Sequence, residues 1–410
     1  MWKLYRQDLQ RIQPAAWTFL AGSALMGGAQ AVPWTLLQLY LDRLGYSKAA
    51  IGGVQAAEAW GQVLVALPAA FLLMRRRTPP LLALASVATA IGYAALPWLP
   101  SVGWMWAAKI FIGCAWWLHY VAIAPLLYRH STTSERPALF GLSDAVHTGA
   151  MVFGCWGSGR VVDFLAQRWM SETDALATVL SWSGVLPLVA ALVFLRIRES
   201  APAVAPTLDI RATLAKHRGL FARFVVPFWI AGVGAGLCIP FLGLYFQDRF
   251  GASPDTVGEL YAAWQALATL GFLLSPILVR RASFVWSIVL VQLLSIPFFL
   301  VLAFTQNYSI AVGAFLMRGA LMNASGPIVK NLMMDVSPEG TREVQVALNS
   351  TAWGVAWVVG PWLGGHLLDW TGDSYAALML STVVLYVASS VATIWLLLPL
   401  DPRKRDPVLR

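Results

Sequence analysis

Charge is scarce in this chain. Asp, Glu, Lys and Arg make up 12% of its 410 residues, about half the share of an ordinary soluble domain. Cysteine is scarcer still: Cys114, Cys155 and Cys238 all fall in apolar segments, which excludes a disulfide framework and leaves no metal-ligand spacing. No glycine loop ending in Lys-Ser/Thr is present, so ATP is not the energy source. Nucleophile–base sets and His/Cys/carboxylate clusters are missing too. An enzyme is therefore not expected, nor a metal or a cofactor. No cleavable signal is expected either, because the first apolar segment is too long for a signal core and no A-x-A-like site closes it.

Long apolar runs take their place. A spanning helix needs roughly 20 mostly apolar residues. With 58% hydrophobic residues, the chain supplies twelve such segments, at about 15–40, 49–74, 80–99, 103–128, 137–162, 175–197, 220–246, 255–279, 283–304, 308–335, 344–369 and 375–399. The net charge of +9 follows their spacing. Lys3, Arg6 and Arg11 precede the first span; Arg75, Arg76 and Arg77 follow the second, Arg129 and Arg136 the fourth. Arg196 to Arg223 surround the middle, Arg280 and Arg281 follow the eighth span, and Arg403 to Arg410 the last. All lie on one side of a twelve-span topology, the side that is cytoplasmic when loops carry the Lys/Arg excess. Both termini are expected there, in the inner membrane of a bacterium. The basic balance thus reflects the lipid bilayer and not a nucleic acid. Trp2, Leu4 and Tyr5, alternating with basic residues, fit a short helix on the inner surface.

The chain also repeats itself. Asp42, Arg43, Gly45, Ser47 and Gly52 return 206 positions later as Asp248, Arg249, Gly251, Ser253 and Gly258. Ser131, Arg136, Gly154 and Asp163 return at the same offset as Ser337, Arg342, Gly360 and Asp369. One offset holding at two distant places means two copies of one fold. The expected architecture is all-α, with twelve transmembrane helices in two pseudo-symmetric six-helix bundles. Residues 1–197 form the first bundle, 198–218 a cytoplasmic linker with Glu199, Pro202 and Pro206, and 219–410 the second. The repeated Asp-Arg-x-Gly-x-Ser segment is a tight outer turn whose Ser or Asp caps the next helix. Such parallel repeats are how many secondary transporters build a site between their halves.

These features resemble the major facilitator superfamily over essentially the whole length. That family's signature between spans 2 and 3 reads G-x-x-x-D-R-x-G-R-R. The aligned stretch here keeps Arg76-Arg77 but has Ala69 and Leu73 in place of Gly and Asp; the loop after span 8 keeps Arg280-Arg281. A second signature, G-P-x-x-G-G, marks span 5 of the drug/proton antiporter branch. It is intact in span 11, as Gly360-Pro361-Trp362-Leu363-Gly364-Gly365. In span 5 it is reduced to Gly154-Cys155-Trp156-Gly157-Ser158-Gly159. The resemblance implies alternating access, with spans 1, 4, 7 and 10 lining a central cavity. It makes Asp42, Arg43, Arg76, Arg77, Asp248, Arg249, Gly360, Pro361, Gly364 and Gly365 gating or structural positions.

Ionisable residues inside spans cost roughly 2.5–3.5 kcal/mol each on insertion scales and face a cavity or a partner. Glu58 lies roughly 14 Å down span 2 at about 1.5 Å per residue. It is the first candidate to carry a proton, since a desolvated carboxylate has a raised pKa; its alternative role is to neutralise Lys109. Asp144 and His147, three residues apart, are further proton-coupling candidates. Arg318, deep in span 10, points to an anion held bidentately, or to an ion pair. His119 and Tyr120 fit a cavity wall or a helix contact. Gln30, Trp34, Gln38, Trp116, Trp264, Gln265, Asn323, Asn349 and Trp353 complete the cavity candidates. Many of the 20 Trp are interfacial anchors by default, but those well inside spans suit a large apolar or cationic solute.

The reading is a secondary active transporter exporting a small hydrophobic or cationic organic compound against proton entry, as a monomer. The alternatives are an organic-anion carrier using Arg318 and Lys109, a lipid or lysolipid translocator, and, remotely, a non-transporting membrane sensor.

Overall fold

The computed structural model describes residues 13–131, 136–198, 210–338 and 341–401. The amphipathic start at Trp2, Leu4 and Tyr5 and the basic tail from Arg403 lie outside the described residues. Within them the fold is all-helical. The helices are α1 Pro14–Arg43, α2 Lys48–Arg75, α3 Thr78–Ala95, α4 Val102–Arg129, α5 Arg136–Arg168, α6 Glu172–Trp182 and α7 Val185–Phe194. After these come α8 Ile210–Cys238, α9 Leu242–Phe250, α10 Pro254–Ala282, α11 Phe284–Phe304, α12 Tyr308–Val336, α13 Arg342–Thr371 and α14 Tyr375–Leu397. Twelve rods result, because α6 with α7 and α8 with α9 are each one rod broken midway. The second break holds Pro240, in a 3-10 turn over Ile239–Phe241. Of the expected linker, 199–209 lie outside the described residues. Its last part is instead the first turns of α8, bent at His217.

Local chemistry sets the helix ends. Ser171, Asn307 and Ser374 accept from Asp174 N, Ile310 N and Ala377 N and so cap α6, α12 and α14. The repeated turns need their glycines, since Gly45 and Gly251 have φ of +78° and +64°. Six of the rods are long and apolar enough to cross a membrane on composition alone. The other six, α1, α2, α5, α10, α12 and α13, run 28 to 33 residues but carry more Gly and polar residues. Exposed Trp98, Trp104, Trp169 and Trp370 sit at the helix ends that the charge pattern assigns to the outside, and Trp17, Trp286 and Trp395 at the opposite ends, as interfacial belts do.

Two compact units form. One comprises Met1–Tyr46, Ala57–Pro206 and Gly251–Ala262. In it α1 packs most extensively on α5, α3 on α4, and both α1 and α3 on α7. Its core gathers Phe19, Leu82, Leu126, Leu139 and Phe194. The other unit comprises Ser47–Ala56, Thr207–Phe250 and Ala263–Arg410. There α8 packs on α13, α11 on α12, and both α8 and α11 on α14, around Phe224, Ile288, Leu332 and Leu397. The pairing of the first unit is thus repeated in the second.

Glycine permits these contacts. A Cβ on Gly154 would lie 2.6 Å from Gly28 O; one on Gly364 would lie 2.2 Å from Leu237 O. Each unit also takes in the first turns of a helix from the other half of the chain. In the second unit the start of α2 lies on α13, where a Cβ on Gly365 would meet Lys48 O at 2.3 Å. In the first unit the start of α10 lies on α5, where a Cβ on Gly159 would meet Pro254 O at 2.3 Å. Gly159 and Gly365 are equivalent in the repeat, so one backbone-to-backbone junction is built twice.

Candidate transport residues

Glu58 and Lys109 meet. α2 carries the carboxylate and α4 the ammonium, and Lys109 Nζ donates to Glu58 Oε2. Lys109 is 2% exposed and Glu58 21%. The helices approach here because each offers a glycine: a Cβ on Gly61 would lie 2.2 Å from Ile110 O, and one on Gly113 2.0 Å from Glu58 O. Two charges inside spans thus neutralise each other, the arrangement in which a buried pair is tolerated.

Deeper in the same unit, His119 lies among aromatic rings. Its ring stacks on Phe19 at 6.4 Å and leans on Trp116 and Phe194 at 5.5 Å each. Neither ring nitrogen has a hydrogen-bond partner among the described residues. Trp116 belongs to the apolar core and touches the His147 ring at 5.8 Å. His147 in turn bonds to the Ser23 backbone. Asp144, one turn away, is exposed, as is Tyr120, which stacks on Trp117 at 5.0 Å. Gln38 is fully buried and donates to the Tyr261 hydroxyl at 3.3 Å, while Gln30 and Trp34 are half-buried on α1.

The second unit holds a different centre. Arg318 on α12 is 1% exposed. Its guanidinium carbon lies 4.8 Å over the Phe299 ring, and Nη2 reaches the Tyr386 hydroxyl at 3.5 Å. Nε and Nη1 have no partner among the described residues. A hydroxyl and amide seam also joins α11 and α14: Gln292 bonds to Ser389 and Ser390, and Ser389 donates to Pro227 O at 2.9 Å. Trp264 is buried against Gly319 and Phe315. Gln265 is buried, and Asn323 donates to Gly319 O at 2.8 Å. On α13, Asn349 is half-buried with its Oδ1 unpaired among the described residues, and Trp353 is exposed beside Trp357.

The repeated motifs make polar and packing contacts in both copies. Arg43 pairs with Glu172 at 3.0 Å. Asp248 accepts from Lys48 Nζ at 3.1 Å and from the Tyr375 hydroxyl at 2.7 Å, and Arg249 donates to Ala303 O at 3.2 Å. Gly360, Pro361, Gly364 and Gly365 seat α13 against α8 and the start of α2. Arg76 and Arg77 are exposed. Sequence reasoning missed Tyr386, Phe299, Ser23, Tyr261 and Lys48. Tyr386 carried no signal, being one hydroxyl among many on an apolar helix. Among the described residues no group of three or more His, Cys, Asp or Glu could hold a metal.

With this architecture in view, the family matches are decisive. A Major Facilitator Superfamily profile matches residues 225–409, and one for the MFS_1 like family matches residues 9–172. The chain belongs to the major facilitator superfamily. No curated protein matches it in sequence. Its fold is similar to that of the nucleoside transporter NupG, with a TM-score of 0.76, 14% identity, and coverage of 94% of this chain and 99% of that one. It is also similar to a bacterial homolog of the human lysosomal transporter Spinster, at 0.72 and 15%, covering 94% of both chains. A D-xylose–proton symporter matches at 0.71 and 16%, covering 91% and 96%. The protein is a multi-pass membrane transporter and not an enzyme.

Proposed function

We propose that this secondary transporter is proton-coupled, works by alternating access and carries a small organic solute, with Glu58 as the carboxylate that loads and releases the proton. The observation that carries the reading is the Glu58–Lys109 pair, in which a nearly fully buried ammonium meets a carboxylate inside α2. Protonating Glu58 removes the charge that compensates Lys109, so proton binding and the packing of α2 on α4 are energetically linked. A D-xylose–proton symporter of similar fold makes this coupling chemistry a natural one to test. The Lys/Arg distribution supports cytoplasmic termini in a bacterial inner membrane.

Export of a hydrophobic or cationic compound rests on the G-P-x-x-G-G segment of α13 and on span-interior Trp. That segment serves helix packing, and Trp116 and Trp264 are buried in their units. Lys109, already paired, does not support an anion. The free donors of Arg318 do, and they favour a solute with an acidic group.

The test is flux in proteoliposomes under an imposed pH gradient, over a panel of organic acids, nucleosides, sugars and cationic drugs. Wild-type flux is expected to follow the gradient, and Glu58→Gln to carry solute without responding to it. Wild-type flux indifferent to pH, or unchanged coupling in Glu58→Gln, sinks the reading.

A further inference from the structure

Arg318 is a buried cation that meets no carboxylate among the described residues. It lies ten residues into α12. Among the carboxylates of its unit whose side chains are described, Asp248, Asp335, Asp369, Asp373 and Asp401 all sit at helix ends, and none bonds to it. Its surroundings are the Phe299 ring, the Tyr386 hydroxyl and the neighbouring Cys238 thiol. A ring face and a phenol solvate a guanidinium only in part. Two donor nitrogens remain unused in a 1% exposed side chain, and unused buried donors are rare in stable proteins. Lys109, the other cation buried well inside a helix among the described residues, has Glu58 as its partner.

We infer that Arg318 is an anion-binding residue, and that the acidic group it takes is the carboxylate or phosphate of the transported solute. The inference rests on the transporter reading and names its substrate class. A planar guanidinium holds a carboxylate or phosphate through two parallel N–H donors, which no ammonium does. Nη2 lies against the Tyr386 hydroxyl, so the phenol O–H is placed to donate a third hydrogen bond to an oxyanion there. Phe299 covers one guanidinium face, and the in-plane donors Nε and Nη1 have no partner among the described residues. An organic anion satisfies the charge and the orphaned donors together, which a neutral solute does not.

Purified full-length protein in detergent is heated with sodium benzoate, sodium acetate, inorganic phosphate or sodium chloride, and with benzamide and benzylamine as neutral and cationic counterparts. Saturable stabilisation by at least one organic or phosphate anion is expected, with none from benzamide or benzylamine. Arg318→Gln should abolish it, and Arg318→Lys should weaken binding about tenfold or more, the size of a charge-assisted hydrogen bond. Tyr386→Phe should weaken it by a smaller factor. If Arg318→Gln does not fold, the wild-type panel and Arg318→Lys still decide. Stabilisation by chloride alone, by benzamide as well as benzoate, or at undiminished affinity in Arg318→Lys overturns the inference. No gradient is present, so the two proposals fail separately. Anion binding with pH-independent flux overturns only the coupling; proton-driven flux of a neutral solute without anion binding overturns only the Arg318 site.

Discussion

The carboxylate of Asp369 closes the N-terminus of α2 through two backbone bonds, from Lys48 N at 2.9 Å and Ala49 N at 3.1 Å. Asp163, its equivalent in the repeat, accepts from the Asp255 backbone and the Ser253 side chain at the start of α10. An acid near the C-terminal end of one helix thus caps the first turn of another, twice, where the helix dipole favours negative charge. Replacing Asp369 with Ala should destabilise the protein by about 1 kcal/mol, the usual worth of an N-cap. Asp369→Asn should cost less, since one acceptor remains. Thermal unfolding in detergent distinguishes them, and equal stability of all three proteins would show that the cap is not made.

The glycine junctions give a graded series. Gly365→Ala places a methyl 2.3 Å from Lys48 O, and overpacking of that kind costs about 1–3 kcal/mol. Gly149→Ala meets nothing within 4 Å and should be neutral or stabilising by up to ~1 kcal/mol through helix propensity. A reversed order of melting temperatures would refute the close approach of α2 and α13.

Glu58 and Lys109 should show strong coupling in a double-mutant cycle. Glu58→Gln strands a nearly fully buried ammonium, and losing one member of a buried pair costs about 3–5 kcal/mol. Glu58→Gln with Lys109→Met removes both charges and should recover much of that loss. Additive effects in the melting temperatures would mean that the two side chains do not interact.

His119 provides a control on the apolar core. Its unpaired nitrogens sit among Phe19, Trp116 and Phe194. His119→Phe should therefore leave stability equal or raise it by about 1 kcal/mol, because an unsatisfied buried polar group is removed. A loss of stability would reveal a polar partner for the ring.

Much of this was open to reading along the chain. The twelve rods follow from runs of apolar residues, and the shared pairing of α1 with α5 and α8 with α13 follows from the 206-residue repeat. Gly45 and Gly251 were legible as turns because only glycine takes a positive φ without strain. The site was legible in its residue types and not in its contacts. The sequence allows Glu58 equally as a proton carrier and as the partner of Lys109, since depth can be counted along a helix while its rotation cannot. Asp144 and His147 share a helix, yet one is exposed and the other packs on Trp116. The caps made by Asp163 and Asp369 were hidden, as their targets start helices that follow in sequence in one case and precede in the other.

Composition and repetition alone determined a membrane-embedded, duplicated helical protein, because hydropathy and self-similarity are properties of the string. Tertiary structure decided which charges are neutralised: Lys109 found a carboxylate fifty-one positions away, and Arg318 found none among the described residues. That distinction depends on how helices are rotated and how closely glycines let them approach. Such contacts arise only when distant segments are packed side by side.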